Sequence, residues 1–155
     1  MKIERFTQLK NIDKLGKIIF LNFMDLQNQP DIEFSFESIK EILQSPNLIG
    51  WFLMNNDNKI IGYLIGSIKE LVDGRNVFFI HYFYITQNYR KFGLGTKMLL
   101  ITLNHISNLN LKFVMLISKI NSDAWFMYKK YGFVEDPIIK LNNLHFRILT
   151  FYCNN

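Results

Sequence analysis

The sequence predicts an α/β domain in which a central mixed sheet is covered by helices. Apolar runs of strand length are interspersed with stretches that carry apolar residues at helical spacing. Their order along the chain is β-α-α-β-β-β-α-β-α-β-β. Since there are no internal repeats or Pro/Gly/Ser-rich linkers, we expect a single domain over residues 1–155.

The first elements are a short strand and two helices. The segment KIERF at 2–6 is β-rich, and residues 9–27 carry apolar side chains at helical spacing. Pro30 ends this first helix. Ser35 is a plausible cap for a second helix over 35–44.

The rest of the chain is predicted to supply most of the sheet. The runs 48–54 and 60–69 flank the turn NNDNK and predict a hairpin, and 76–86 is a long strand buried on both faces. The later elements are a helix through 94–106, a strand at 111–118, a short helix at 122–132 and two last strands flanking Asn142–Asn143.

Composition excludes several classes of protein. Nearly half of the residues are hydrophobic and a fifth are charged, as in globular rather than disordered proteins. No apolar run reaches the roughly 18 residues that a membrane span needs, and the start MKIERFTQLK does not have the pattern of a signal peptide. The single cysteine, Cys153, has no partner for a disulfide or a zinc site. We therefore expect a cytoplasmic protein, and its formal charge of +5 favours an anionic ligand.

A glycine turn between a strand and a helix is the first candidate site. The segment RKFGLGTKML at 90–99 places Gly93 and Gly95 where the first N–H groups of a helix lack partners. Glycine lets the backbone approach an anion closely, and Arg90, Lys91 and Lys97 add positive charge. The same stretch is also compatible with an ordinary turn that carries solvated lysines.

Two well-known phosphate motifs do not fit this turn. A dinucleotide fingerprint would need glycine in place of Met98 and an acidic residue roughly 20 positions later. A P-loop would need Gly-Lys-Ser/Thr, whereas the order here is Gly-Thr-Lys.

A second constellation follows the next strand. The segment NSDAWFMYKKYGF places Asn121 where a helix begins and Tyr128 two turns later on the same face. Ala124, the only alanine in the chain, lies between them and leaves room for a ligand against the helix. The pair Gly132–Phe133 ends the helix and begins the next strand. A tyrosine packed on an amphipathic helix is the alternative interpretation.

Together the two constellations resemble the GNAT superfamily of N-acetyltransferases, and the likeness covers essentially the whole chain. The acetyl-CoA motif R/Q-x-x-G-x-G/A is matched by Arg90, Gly93 and Gly95. The later pattern N-x-x-A-x-x-x-Y with a glycine-aromatic pair is matched by Asn121, Ala124, Tyr128, Gly132 and Phe133.

The resemblance implies an enzyme that uses acetyl-CoA as co-substrate and no metal. Backbone groups of the long strand would pair with the pantetheine arm, and amides of the glycine turn would bind the diphosphate. The implied cofactor-binding residues are Tyr84, Ile85, Thr86, Arg90, Lys91, Phe92, Gly93, Leu94, Gly95, Thr96 and Asn121.

Tyr128 and His81 are the implied catalytic residues. Tyr128 would give a proton to the departing thiolate, although a phenol of pKa about 10 is a weak acid for a thiol of about 8.5. The acceptor amine must lose a proton, and His81 is the candidate base. Strand alternation predicts that His81 shares a face with Phe79, Phe83 and Ile85. Many members of the superfamily have a carboxylate on this strand, and this chain has none there. In this respect it resembles the serotonin N-acetyltransferases, which use histidines on that strand. The alternative is that His81 is a core histidine with its hydrogen bonds satisfied.

The acceptor is predicted from charge. From Ile18 to Ile39 the chain has no lysine or arginine but several acids, among them Asp31 and Glu33. An acidic rim would attract a cationic acceptor such as a polyamine or another polycationic small-molecule amine, an aminoglycoside or a lysine side chain. The same acids are also typical of helix starts. We expect no nucleic acid or membrane partner, and a monomer or homodimer. Acetylation of a protein lysine or N-terminus, a non-catalytic CoA-binding module and a nucleic-acid binder are the alternatives; the last lacks a cluster of cations.

Overall fold

The computed structural model describes residues 1–6, 12–25 and 36–154, and the order of its elements confirms the predicted order. The described strands are β1 (Lys2–Phe6), β2 (Leu48–Met54), β3 (Ile60–Glu70), β4 (Asn76–Ile85), β5 (Phe113–Lys119), β6 (Val134–Glu135) and β7 (Phe146–Tyr152). The described α-helices are α1 (Ile12–Asp25), α2 (Phe36–Leu43), α3 (Leu94–Asn108) and α4 (Asp123–Lys130). Pro30 and Ser35 lie outside the described residues.

The strands form one mixed sheet in the order β1-β2-β3-β4-β5-β7-β6. Among the described strands β4 and β5 pair in parallel, and the other neighbours pair antiparallel. The predicted fold class, a mixed sheet flanked by helices, is therefore confirmed.

Both faces of the sheet are covered by helices, which is why the central strands are apolar throughout. On one face, α3 and α4 pack through residues such as Met98, Leu99 and Tyr128 against Leu64 and Phe78. On the other face, α1 and α2 pack on β3 and β4; the buried residues of this cluster are Leu15, Ile19, Ile39, Leu43, Leu48, Tyr63, Ile65 and Tyr82.

The last two strands flank Asn142–Asn143 as predicted and pair antiparallel, but a long loop separates them. Strand β6 stops at Glu135, and residues 136–145 form no strand. The cause is Asp136, whose fully buried carboxylate accepts hydrogen bonds from the Ile138 and Ile139 N–H groups and from Arg75. These bonds turn the chain away from β7, so that the segment covers the sheet as a loop.

Two further observations apply to the described ranges. None of their helices is long and apolar enough to cross a membrane. They also contain no group of three or more His, Cys, Asp or Glu side chains arranged to hold a metal ion.

Candidate active site

A gap between β4 and β5 defines the candidate site. The two parallel strands are paired from Val77↔Phe113 to Phe79↔Met115, and β4 then continues to Ile85 without a described partner on that side. Strand β5 continues instead as a partner of β7. The sheet is thus split at the carboxyl ends of two parallel strands, where ligands of α/β proteins commonly bind.

The backbone of β4 presents alternate residues to this gap. The Thr86 N–H donates to the Ile61 carbonyl on β3 at 2.8 Å, so the predicted contact of this amide with a pantetheine arm is not available. Backbone groups of successive strand residues point in opposite directions. Those of Phe83 and Ile85 therefore face the gap, and the Ile85 carbonyl accepts a hydrogen bond from Arg90 Nε at 2.6 Å.

The glycine turn leaves the start of α3 uncapped. Gly93 is the N-cap, with φ 78°, and no side chain makes a capping hydrogen bond. The Lys97 N–H is the first to bond within the helix, to the Gly93 carbonyl, which leaves the amides of 94–96 for another partner. A Cβ atom built on Gly93 would have no heavy atom within 4 Å, so open space lies beside these amides. The arrangement is suited to an anion.

The other residues of the turn hold it against β4. The Arg90 guanidinium lies 5.1 Å from the centre of the Tyr84 ring, in addition to its bond to Ile85. A Cβ on Gly95 would lie 3.4 Å from Ile85, an ordinary contact distance, so α3 packs closely against the end of β4 at this residue. Phe92 is 73% exposed beside the turn.

Asn121 lies just before α4 and not within it. Its φ of 64° is left-handed, which asparagine tolerates better than most residues. Ser122 is the N-cap and accepts a hydrogen bond from the Trp125 N–H at 3.1 Å. The predicted shared helical face of Asn121 and Tyr128 is therefore wrong, because Asn121 precedes the cap. Both Asn121 and Ala124 are exposed, so space is left along this end of the helix.

Tyr128 is buried in α4 and is held by the way the helix ends. The Phe133 N–H donates to the Tyr128 carbonyl and the Gly132 N–H to the Lys129 carbonyl, the two bonds of a Schellman motif with Gly132 at φ 103°. The Tyr128 ring lies 5.4 Å from the Phe133 ring and 6.5 Å from the Phe83 ring of β4. Burial raises the pKa of Tyr128, so its hydroxyl stays protonated at neutral pH.

His81 occupies a β-bulge in β4. Ile65 pairs with Tyr82 and Gly66 with Ile80, so His81 is the extra residue. The bulge reverses the alternation beyond it, so that Tyr82 and Tyr84 pack in the α1/α2 cluster. His81 contacts Phe79 and Tyr82, on the side of the sheet away from α3 and α4.

The predicted common face of His81 with Phe83 and Ile85 is therefore wrong, since these two residues pack on the α3/α4 face. His81 Nε2 lies 2.8 Å from Ser67 Oγ. Burial, aided by the charge of Lys69, lowers the pKa of His81 to about 4.

The predicted acceptor residues Asp31 and Glu33 lie outside the described residues. Among the residues described, a cavity of about 370 Å³ lies under the segment between β6 and β7. Its charged lining side chains are Glu135, Lys140 and Arg147.

Sequence reasoning missed Ser67 and Phe83. Ser67 is a polar residue in an apolar strand, which could have drawn attention to it, but its pairing with His81 depends on the bulge. Phe83 has no signal in the sequence that separates it from its aromatic neighbours.

A split parallel strand pair beside an uncapped helix is an arrangement suited to an anionic ligand. The acetyltransferase (GNAT) family model matches residues 19–133, and the chain therefore belongs to this family. It is an acetyltransferase, as the sequence motifs predict. A search of curated proteins gives no significant match.

Solved structures of family members share the fold at low sequence identity. NAA60 of Arabidopsis thaliana, in complex with a bisubstrate analogue, has a TM-score of 0.70 and 15% identity, over 97% of this chain and 98% of that chain. A GNAT-family acetyltransferase from Staphylococcus aureus has a TM-score of 0.72 and 15% identity, over 99% and 100%. The ribosomal-protein-S18-alanine N-acetyltransferase from Escherichia coli has a TM-score of 0.68 and 13% identity, over 99% and 96%.

Proposed function

We propose that this protein transfers the acetyl group of acetyl-CoA to a primary amine of a small molecule. The observation that carries the proposal is the gap between β4 and β5, which ends at the uncapped amides of α3. A long, thin ligand with a diphosphate group fits such a gap, because its arm can lie along β4 while its charge meets the helix start. The solved structure of Arabidopsis NAA60 with acetyl-CoA supports this choice of donor.

The residues around the gap are suited to this ligand. Amides from Lys91 to Thr96 would bind the diphosphate, with Phe92 and Leu94 contributing backbone groups only. The free Nη atoms of Arg90 would add positive charge, since its Nε is already bonded to Ile85. Backbone groups of Ile85 and its neighbours in β4, and the exposed side chain of Asn121, would contact the arm.

Backbone donors in β4 would supply much of the catalysis. Bound acetyl-CoA would provide an acetyl group on a thiol leaving group. The Phe83 and Ile85 N–H groups face the gap, and one of them would donate to the carbonyl oxygen on which negative charge develops. Because they are fixed in a strand, this stabilisation requires no reorganisation during the reaction. The Tyr128 hydroxyl, protonated and beside Phe83, would donate to the leaving sulfur.

His81 would assist the acceptor rather than act as a strong base. With a pKa of about 4, its ring is neutral at pH 7 and can accept a hydrogen bond from the amine. Full proton transfer from an alkylamine of pKa about 10 would cost roughly 8 kcal/mol. An α-amino group has a pKa near 8 and would reduce that cost by about 3 kcal/mol. The lowered pKa of His81 therefore favours an α-amino group as the second candidate acceptor, as in a peptide N-terminus.

A polycationic acceptor is less well supported. Lys69 lies on the same face of the sheet as His81, with its Nζ 4.3 Å from the centre of the Phe79 ring. A second positive charge on the acceptor would be repelled there. We therefore propose an acceptor with a single amine near the reacting centre. The small-molecule amine remains our first choice and the protein lysine or N-terminus the alternative.

Thermal unfolding with acetyl-CoA tests the donor. At 100 times its dissociation constant the ligand should add about 2.7 kcal/mol to the free energy of unfolding. For a chain of this size that raises Tm by about 5 to 10 °C. Dephospho-CoA and free pantetheine are the controls; pantetheine lacks the diphosphate and should give a much smaller shift. An unchanged Tm with both acetyl-CoA and CoA would contradict the proposal.

Thiol release with a panel of amines tests the reaction. Small amines, polyamines, lysine peptides and peptides with free N-termini should be compared at equal acetyl-CoA. Tyr128→Phe keeps the buried ring but removes the hydroxyl, so kcat should fall about tenfold or more while the acetyl-CoA shift in Tm persists. Binding of acetyl-CoA without turnover of any amine would indicate a non-catalytic CoA-binding module.

A further inference from the structure

Ser67 is a buried hydroxyl in direct contact with the candidate base. It is 6% exposed on β3, opposite Phe79, and its Oγ lies 2.8 Å from His81 Nε2. No described residue makes a hydrogen bond with the other ring nitrogen, Nδ1. The two nitrogens of the ring are therefore in different surroundings: Nε2 is bonded to Ser67, and Nδ1 has no hydrogen-bond partner among the described residues.

The bulge explains why His81 needs such a contact. The extra residue of a bulge has no partner in the register of the neighbouring strand, so cross-strand pairing does not fix its side chain. The His81 ring touches Phe79 at 5.0 Å and Tyr82 at 6.2 Å between ring centres, and neither contact distinguishes Nδ1 from Nε2. The hydrogen bond to Ser67 is the contact that does.

We propose that Ser67 is a positioning residue that accepts a hydrogen bond from His81 Nε2–H and so leaves Nδ1 unprotonated toward the acceptor amine. This rests on the proposed function, in which His81 assists the amine. The neutral amine donates an N–H hydrogen bond to Nδ1; as its electron pair forms the C–N bond and the C–S bond electrons leave with the sulfur, that N–H proton passes to Nδ1. Ser67 keeps its hydrogen bond throughout, because Nε2 carries a proton before and after the transfer.

The charged and titratable groups around the ring determine how much the contact with Ser67 can stabilise the protonated form of His81. Lys69 from β3 opposes protonation of His81, and Tyr82 lies beside it on β4. Of the described residues, no carboxylate forms an ion pair or hydrogen bond with the ring. Among the described residues, Ser67 is thus the one whose side-chain oxygen can accept a hydrogen bond from the protonated ring and stabilise it.

A double-mutant cycle tests whether Ser67 acts through His81. Ser67→Ala should lower kcat about tenfold, with little change in the KM for acetyl-CoA or in the Tm shift that acetyl-CoA produces. Ser67→Thr, which retains the hydroxyl, should recover most of the activity. In the His81→Gln background Ser67→Ala should have no further effect, because the residue through which it acts is gone. Ser107→Ala is the matched control: it removes a hydroxyl bonded to the Leu103 carbonyl near the far end of α3.

Equal losses from Ser67→Ala in the wild-type and His81→Gln backgrounds would overturn the proposal, as would a loss no larger than that of Ser107→Ala. If no amine is turned over, the proposed function fails. The contact between Ser67 and His81 can then be tested separately by ¹⁵N NMR, which shows which ring nitrogen of His81 carries the proton. We expect a protonated Nε2 and an unprotonated Nδ1. A protonated Nδ1 at neutral pH would overturn the assignment.

Discussion

Replacing Gly93 by alanine should separate the folding role of the glycine turn from its binding role. Gly93 has φ 78°, a left-handed conformation that costs a residue with a Cβ about 1–2 kcal/mol. Since the added methyl group meets no atom within 4 Å, no steric term is added to this strain. The expected loss of stability lowers Tm by about 2 to 8 °C, and the variant should fold.

The effect on acetyl-CoA should be much larger. The methyl group would occupy the open space beside the first amides of α3, where the diphosphate would lie. Loss of one charge-assisted hydrogen bond costs about 1.5–3 kcal/mol, which raises the dissociation constant roughly 10- to 150-fold. At an acetyl-CoA concentration that stabilises the wild type by about 2.7 kcal/mol, the variant should gain between about 0.3 and 1.4 kcal/mol.

Gly74→Ala provides the matched control. Gly74 has φ 90° in the turn between β3 and β4, and a Cβ there also meets nothing within 4 Å. Both variants should therefore lose similar stability without ligand, measured by thermal unfolding. Only Gly93→Ala should lose the acetyl-CoA shift, which isothermal titration can check directly. If the two variants bind acetyl-CoA equally well, the assignment of the diphosphate to the start of α3 is wrong.

Two other substitutions test the packing around the site. Gly95→Ala should leave activity almost unchanged and stability within a few tenths of a kcal/mol, because the new Cβ makes an ordinary 3.4 Å contact with Ile85. The larger side chain of Gly95→Val should force α3 away from β4. A strong loss of acetyl-CoA binding in Gly95→Ala would contradict this reasoning. Asp136→Asn should lower the free energy of unfolding by about 3 kcal/mol, since it removes the charge that Arg75 Nη1 contacts at 2.7 Å, and exposed Asp57→Asn, the control, should change little. Burial alone would raise the pKa of Asp136, but hydrogen bonds from Arg75, Ile139 and Thr150 outweigh burial and lower it. The free energy of unfolding of the wild type should therefore decrease as the pH drops below about 4 and the carboxylate takes a proton. Asp136→Asn should flatten that acid limb of a denaturation series; an unchanged limb would show that other groups cause it.

The order of elements was predictable because each carries its own local signal. The strand KIERF was predicted with the bounds of β1, and the glycine turn was placed correctly at the start of α3. Helix ends were predicted within a few residues of the observed ones. The last two strands flank Asn142–Asn143 as predicted, but the length of the loop between them was not predictable. The turn at Asp136 depends on Arg75, which is distant in sequence and becomes a neighbour only after the sheet has formed.

The position of the bulge was not predictable from β4 itself. In a strand with one polar face, a bulge breaks the alternation of polar and apolar residues and so leaves a trace in the sequence. Both faces of β4 are covered by helices or loops, and residues 77–85 are apolar or aromatic apart from His81. A shift of one residue therefore exchanges one large apolar side chain for another, and the alternation of polar and apolar residues gives no sign of the bulge.

The extra residue at His81 determines which backbone N–H groups of β4 face the gap and on which face of the sheet the neighbouring side chains lie. Side-chain and backbone directions alternate together along a strand, so a bulge reverses both beyond it. With the bulge at His81, the N–H groups of Phe83 and Ile85 face the gap while their side chains pack under α3 and α4. Without it, Phe83 would turn its amide to β3 and its ring to the other face, away from Tyr128. The proposed donor to the acetyl carbonyl and the residue proposed to assist the amine are therefore set by one change of register, and neither can move along β4 without the other.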